Sequence, residues 1–175
     1  MTISGAGISV FPSDILGWQN VSAAGARPSQ SPTANSSAIS SVVSAAVAAG
    51  QGVVYIGPGT YTWNGITIVS GPVELRGAGQ HQTRLVMATG AEAHSIQITS
   101  ASGITISDLT IKGNRAGQTT QVHGIRTDTV DGLNIRNVTI SGAAHYGIGS
   151  QVGGVSHLNV DNVVIRQTGG DGVDI

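Results

Sequence analysis

Residues 103–170 contain one pattern three times: GITISDLTIKGN (103–114), GLNIRNVTISG (132–142) and HLNVDNVVIRQTGG (157–170). Apolar positions that align between the copies lie 29 and 25 residues apart, a spacing typical of solenoid repeats. Within each copy apolar and polar residues alternate with a period of two, as at Ile104 and Ile106, which indicates strands. Short strands that recur without helix-length segments between them predict a parallel β-helix.

The composition excludes several classes of protein. The formal net charge is −1 and only 10% of residues are charged, so the chain lacks the basic surface that nucleic acid requires. It has no cysteine, and therefore no disulfide framework or thiolate site. No apolar run approaches the roughly 18 residues of a membrane span, and the first residues do not resemble a secretory signal peptide. We expect neither a nucleic-acid partner nor a membrane span.

Outside the repeats, the sequence predicts an apolar N-terminal arm and one helix. The helix is expected over residues 35–50, with Asn35 as N-cap and Gly50 as the stop, and it is suited to cap the solenoid. The last residues, DGVDI (171–175), align with the start of a new coil, which predicts that this is the N-terminal part of a longer chain. The predicted organisation is a docking arm (1–19), a loop and capping helix (20–50), and a parallel β-helix truncated at its C-terminus (51–175).

Several stretches resemble the start of a pectate-lyase-like right-handed parallel β-helix: GQGVVYIGPGTYTWNGITI (50–68), VELRGAGQHQTRL (73–85) and GITISDLTIKGNR (103–115). The resemblance covers about Trp18 to the end and implies an all-β solenoid with an N-terminal capping helix. Members of this family include polysaccharide lyases, glycoside hydrolases, uronan epimerases and bacteriophage tailspikes. The acidic motif that usually precedes the helix is replaced here by AAGARPSQSPTAN (23–35).

One strand resembles the alginate epimerase modules, in which a segment like YGFDPHE carries a tyrosine, an aspartate and a histidine. Tyr146, Gly147 and Ile148 match this segment, but Gly149 stands in place of the aspartate and Gln151 in place of the histidine. Without a carboxylate and an imidazole at those positions, uronate chemistry has no group to move the proton. Epimerase activity is therefore not assigned from this motif.

The best candidate for a functional surface is formed by the strands that open each coil: HGIRTD (123–128), YGIGSQ (146–151) and DGVDI (171–175). Alternation turns Ile125, Ile148 and Val173 inward and their polar neighbours outward. In the family this sheet commonly carries the substrate. The candidate catalytic residues are Asp171, Asp174 and Asp128, and the candidate substrate-binding residues are His123, Arg126, Tyr146 and Gln151.

The predicted catalytic set is incomplete. With coils about 4.8 Å apart, Asp128 and Asp174 are expected roughly 12 Å apart, too far for the carboxylate pairs of glycosidases. No metal site and no cofactor is predicted, although Asp171 and Asp174 leave Ca²⁺ open for a lyase. The column Asp108, Asn137 and Asn162 is interpreted as structural, because Asp and Asn tolerate a left-handed bend. His81, His94, His145 and His157 are predicted to be separate turn or surface residues.

Three functions remain open. The favoured one is the N-terminal part of a bacteriophage tailspike or tail-fibre protein, a homotrimer that engages cell-surface polysaccharide, with depolymerase activity left open. Its partners would be other tail proteins, bound through residues 1–50, and its location the virion tail. The alternatives are an extracellular polysaccharide lyase, hydrolase or epimerase-like enzyme, and a non-catalytic structural β-helix.

Overall fold

The computed structural model describes residues 17–50 and 52–175. Most of the predicted docking arm, residues 1–16, lies outside the described residues. The described chain forms strands, one α-helix (α1, Pro32–Ala48) and two short 3-10 helices (Val21–Ala24 and Arg115–Gly117). The strands are β1 (Trp18–Asn20), β2 (Val53–Ile56), β3 (Gly59–Trp63), β4 (Ile66–Ile68), β5 (Val73–Gly77), β6 (Thr83–Met87), β7 (Ile96–Thr99), β8 (Ser102–Lys112), β9 (Ile125–Asp128), β10 (Val130–Ser141), β11 (Ile148–Ser150), β12 (Val155–Arg166) and β13 (Val173–Asp174).

Two parallel sheets wrap around one core. Sheet A has the order β1-β2-β5-β8-β10-β12, with β3 paired to β6 and β6 to the second half of β8. Sheet B has the order β13-β11-β9-β7-β4. Each strand pairs with its counterpart from the next coil, so the chain winds as a solenoid. The predicted right-handed parallel β-helix with an N-terminal capping helix is confirmed.

The register confirms the repeat predicted from the sequence. Ile106 pairs with Ile135, and Ile135 pairs with Val160, the spacing of 29 and then 25 residues. Leu75, Ile106 and Ile135 in this inward column are fully buried, whereas Val160 of the last long strand is 43% exposed. Stacked aliphatic side chains therefore form the core, and each coil buries the apolar face of the previous one.

The column Asp108, Asn137 and Asn162 forms the bend predicted for it. The three residues adopt the left-handed conformation, with φ of 56°, 53° and 47°. Asn137 Nδ2 donates to Asp108 Oδ1 at 2.9 Å, and Asn162 Nδ2 donates to Asn137 Oδ1 at 2.8 Å. The Arg76 guanidinium adds an ion pair of 3.0 Å to Asp108. Side-chain amides thus bind one coil to the next at the corner.

The capping helix begins earlier than predicted. Ser31 is the N-cap and its side chain accepts from Ala34 N, while Gly50 ends the helix with a φ of +79°, as expected. Asn35, predicted as the N-cap, lies inside the helix and is fully buried. Its side chain accepts from Arg27 N at 2.9 Å and donates to Thr62 O at 3.0 Å, so it joins the helix to the first coil.

The segment predicted as loop after residue 19 also has regular structure. It contains the end of β1, which pairs with β2, and a 3-10 helix whose N-cap Asn20 accepts from Ser22 N at 2.9 Å. The apolar face of α1 covers the first coil through buried Ile39, Val42 and Val43. In the described ranges no helix is long and apolar enough to cross a bilayer.

Candidate functional site

The outer face of sheet B carries the residues singled out from the sequence. Ile96, Ile125 and Ile148 point into the core and are fully buried, which turns the residues between them outward. Gln97 pairs with Arg126, Arg126 with Gly149, and Gly149 with Asp174. The predicted outward column of Arg126, Gly149 and Asp174 is therefore present.

A stack of rings runs beside this column at the point where each strand begins. The His94 and His123 rings are stacked at 4.8 Å between centroids, with 20° between their planes. The His123 ring lies 5.2 Å from the Tyr146 ring, and the Tyr146 ring stacks on His145 at 3.7 Å. We call His94, His123, His145 and Tyr146 the ring stack. The stack crosses three coils, and all of its rings except the buried His123 are partly exposed.

Gly149 has a packing role that the motif comparison did not suggest. A Cβ atom at this position would lie 2.8 Å from Tyr146 Cδ2 and 2.9 Å from His123 Nδ1. Both rings therefore pack directly against the glycine, in space that a side chain would occupy. Gly170 supports the other side, since a Cβ there would lie 2.8 Å from Tyr146 Cε1. The residue that replaces the aspartate of the epimerase motif is what allows the ring stack to form.

The imidazoles of His94 and His123 are neutral at neutral pH. Burial, together with the neighbouring His123 and Arg126 charges, lowers the pKa of His94 to about 4. Burial, His145 and Arg126 likewise lower the pKa of His123 to about 4. His94 Nδ1 accepts from His123 N at 2.9 Å, and His123 Nδ1 accepts from Tyr146 N at 3.3 Å. One ring nitrogen of each histidine is thus used to hold the turns together.

Arg126 and Asp128 neutralise each other. Arg126 Nε donates to Asp128 Oδ2 at 2.8 Å and its Nη2 donates to Oδ1 at 3.2 Å. Burial alone would raise the pKa of Asp128, but the hydrogen bonds and charge of Arg126 and the N–H groups of Val152 and Gln151 outweigh it and the pKa is lowered. Asp128 is therefore an ionised, paired carboxylate, which is a poor general acid.

The remaining predicted residues lie toward the C-terminal end of the same face. Asp171, Asp174 and Gln151 are exposed. Hydrogen bonding to Asp174, a small effect of burial and the charges of Asp174 and Asp171 raise the pKa of Tyr146. The Tyr146 hydroxyl is thus a hydrogen-bond donor at neutral pH.

The face continues past His94 into a polar depression. Its volume is about 540 Å³, and its lining includes Ser40 of α1, Asn64, Gln97 and Glu92. Glu92 accepts from Thr119 N and Thr120 N, both at 2.8 Å, and from Thr120 Oγ1 at 2.6 Å. The Thr120 hydroxyl and these backbone N–H groups lower the pKa of Glu92 to about 2. Amide and hydroxyl groups suited to sugar hydroxyls therefore extend the face.

The structure brings five of the seven predicted residues into one network, namely His123, Arg126, Asp128, Tyr146 and Asp174, and Asp171 acts on Tyr146 through its charge. Gln151 contributes its backbone N–H to Asp128. His94 and His145 lie between strands and are partly exposed, as predicted, but they are not separate, because both belong to the ring stack. A signal existed in the sequence, since HSIQIT (94–99) aligns with HGIRTD (123–128) at the repeat spacing. Among the residues that the structure describes, no three His, Asp or Glu side chains are grouped as metal ligands.

No family model and no curated protein matches the chain. Solved structures do. The A-module of a mannuronan C-5 epimerase from Azotobacter vinelandii superposes with a TM-score of 0.71 at 22% identity, over 89% of this chain and 52% of that one. A putative glycosyl hydrolase from Parabacteroides merdae gives 0.74 at 20% identity, over 89% and 82%. The ORF18 protein of Geobacillus virus E2 gives 0.61 at 17% identity, over 76% and 27%.

These likenesses establish the fold. The protein has the pectate-lyase-like parallel β-helix fold that its sequence resembles, and the chain spans about half the length of the epimerase module. Identity near 20% carries no activity from these proteins to this one.

Proposed function

We propose that the protein binds a neutral polysaccharide along the outer face of sheet B. The observation that carries this proposal is the ring stack, whose flat rings rise from coil to coil beside polar side chains. Pyranose rings pack against aromatic surfaces, while hydroxyl, amide and carboxylate groups fix their orientation. Partly exposed Tyr146 supplies the surface, buried His123 supports it from behind, and Arg126 and Gln151 supply polar contacts at its edge.

The charges on this face favour a neutral chain over a polyuronate. Arg126 is offset by Asp128, and the imidazoles of His94 and His123 carry no charge at neutral pH. Asp171, Asp174 and Glu92 then leave the face negative. A polyanion would be repelled here, because clefts of one sign concentrate ligands of the other.

The same geometry favours binding over catalysis. The Asp128 carboxylate is committed to Arg126, and the raised pKa of Tyr146 leaves little phenolate to act as a base at neutral pH. His94 and His123 have pKa values far below the range in which an imidazole exchanges protons efficiently at neutral pH. The groups are placed to hold a ligand.

The binding proposal is tested with polysaccharides of both charge classes. Titration of the protein with dextran, mannan, alginate and polygalacturonate should give measurable affinity for a neutral polymer only. Tyr146→Ala should weaken it five- to thirtyfold, the ~1–2 kcal/mol of a central aromatic contact. Asp161→Asn on sheet A is the exposed control and should bind normally. Tight binding of alginate, or equal affinity for the wild type and Tyr146→Ala, would refute the proposal.

For the biological setting, we propose a bacteriophage tailspike or tail-fibre protein of the virion tail. The fold it shares with a Geobacillus virus protein supports this setting. The protein would be a homotrimer, joined to other tail proteins through residues 1–50. Analytical ultracentrifugation of the purified protein should give a trimer mass. A monomer that does not associate through residues 1–50 would contradict the tail assignment.

A second candidate is an extracellular lyase, hydrolase or epimerase-like enzyme. Asp174 favours it, because this carboxylate lies in the column of Gly149, one coil further on, and acts on Tyr146. Ca²⁺ held by Asp171 and Asp174 belongs to this alternative alone. If the wild type cleaves a polysaccharide, Asp174→Asn should abolish that cleavage, whereas the control variant Asp161→Asn should retain it. Absence of new reducing ends and of unsaturated products from the wild type would exclude a hydrolase and a lyase for the polymers tested, and an unchanged uronate composition would exclude an epimerase.

A further inference from the structure

A separate trough lies on sheet A, near the N-terminal ends of strands β1, β2, β5 and β8. Its volume is about 430 Å³, within the ~300–1,000 Å³ of small-molecule sites. Trp18, Glu74 and Thr105 stand in one outward column, and Gly52 and Gly103 help to form the trough. None of these residues belongs to the sheet B face.

One wall of the trough is the ring of Trp18. It is partly exposed and lies 5.6 Å from the ring of Tyr55, with 33° between the planes. The guanidinium carbon of Arg76 lies 5.1 Å from the centroid of the Trp18 ring, and Asp108 fixes this guanidinium through an ion pair of 3.0 Å. The indole is therefore held in place before any ligand arrives.

The other wall is Glu74, two strands away from Trp18. Its Oε1 accepts from Ser107 Oγ at 2.6 Å and from Arg136 Nη2 at 2.9 Å. The side chain is 18% exposed, so its carboxylate is fixed but reaches the trough. Neighbouring strands are about 4.8 Å apart, which separates the two walls by roughly 10 Å at the backbone. Val53 lies between them in the same column and forms the floor of the trough, above which there is width for one sugar ring.

We propose that this trough binds one neutral pyranose unit, stacked on Trp18, with its hydroxyls donating to the Glu74 carboxylate and bonding to Thr105. A fixed carboxylate is a strong acceptor for vicinal hydroxyls, and an aromatic ring fits the apolar face of a pyranose. Glu74 is the one charged residue in the described lining, and its cationic partner Arg136 is already paired with it. An acidic sugar would bring a second carboxylate against Glu74, and the single charge of Arg136 offsets only one of the two, so we expect it not to bind.

Trp18 is a built-in reporter for the test. The chain has two tryptophans, and Trp63 is fully buried, so acrylamide reaches Trp18 preferentially. Cellotetraose, mannotetraose and tetragalacturonate are titrated while acrylamide quenching is measured. A neutral tetrasaccharide should protect Trp18 with a saturable curve, and tetragalacturonate should not.

Three variants identify the site. Glu74→Gln keeps the acceptor for Ser107 but loses the charge. The affinity of the neutral tetrasaccharide, measured by the protection of Trp18 from acrylamide, should fall about tenfold. Tyr146→Ala should leave protection unchanged, which separates this trough from the sheet B face. Asp161→Asn, elsewhere on sheet A, should also have no effect, and thermal unfolding confirms that each variant is folded.

Four outcomes would overturn the proposal. They are no saturable protection by either neutral tetrasaccharide, protection by tetragalacturonate, equal protection in Glu74→Gln, or loss of protection in Tyr146→Ala. A variant lacking residues 1–16 provides the last control. If quenching rises in that variant and no sugar protects Trp18 in either form, the trough is occupied by the chain itself and not by a sugar.

Discussion

Replacement of Gly149 by alanine tests whether the ring stack depends on that glycine. The added Cβ would lie 2.8 Å from Tyr146 Cδ2 and 2.9 Å from His123 Nδ1, whereas carbon contacts are favourable near 3.5–4.0 Å. One or both rings must therefore move by several tenths of an ångström. His123 is buried and has little room to do so. Overpacking of this kind costs roughly 1–3 kcal/mol.

The assay is thermal unfolding followed by circular dichroism, together with titration of the neutral polysaccharide that the wild type binds. For a chain of this size ~1 kcal/mol corresponds to about 2–4 °C in Tm, so Gly149→Ala should lower the Tm by roughly 2–12 °C. Binding should weaken as Tyr146 is displaced. Gly57→Ala is the matched control, because its Cβ would meet only the Tyr61 hydroxyl at 3.7 Å. Equal Tm and affinity in the two variants would refute the role given to Gly149.

Three further predictions concern the fold. Because the pKa values of His94 and His123 are lowered to about 4 in the folded state, the unfolded chain binds more protons between pH 6.5 and 4. Stability should be complete above pH 6.5 and fall as the pH drops to 4; urea unfolding at each pH that shows a constant midpoint would contradict this. Asn137→Gly should be more stable than Asn137→Ala by about 1 kcal/mol, since the φ of +53° strains alanine, and equal urea midpoints would remove the corner argument. Asn35→Ala should cost ~2–3 kcal/mol through two lost buried hydrogen bonds, whereas exposed Ser37→Ala should stay near the wild type; a mild Asn35→Ala would mean that water replaces the amide.

Local pattern predicted the solenoid correctly because the relevant signals are short. Alternation at Ile104 and Ile106 depends on neighbours two residues apart, and the αL bend at Asn137 depends on one residue and its repeat. The boundaries of the helix were less predictable. Asn35 has the chemistry of an N-cap, but its side chain binds Thr62, 27 residues further along, and Ser31 caps the helix.

The sequence by itself determined the fold, the inward and outward columns of sheet B, and the corner amides, because each repeat restates the same alternation. Only the tertiary structure decided what the outward residues do. It paired Arg126 with Asp128, stacked His94 on His123, and laid Tyr146 over Gly149. The stack of His94 on His123 joins two coils and depends on the register between them, whereas the Arg126–Asp128 pair and the Tyr146–Gly149 contact lie within one coil and depend on side-chain orientation. Neither quantity is encoded in the residue types along one strand.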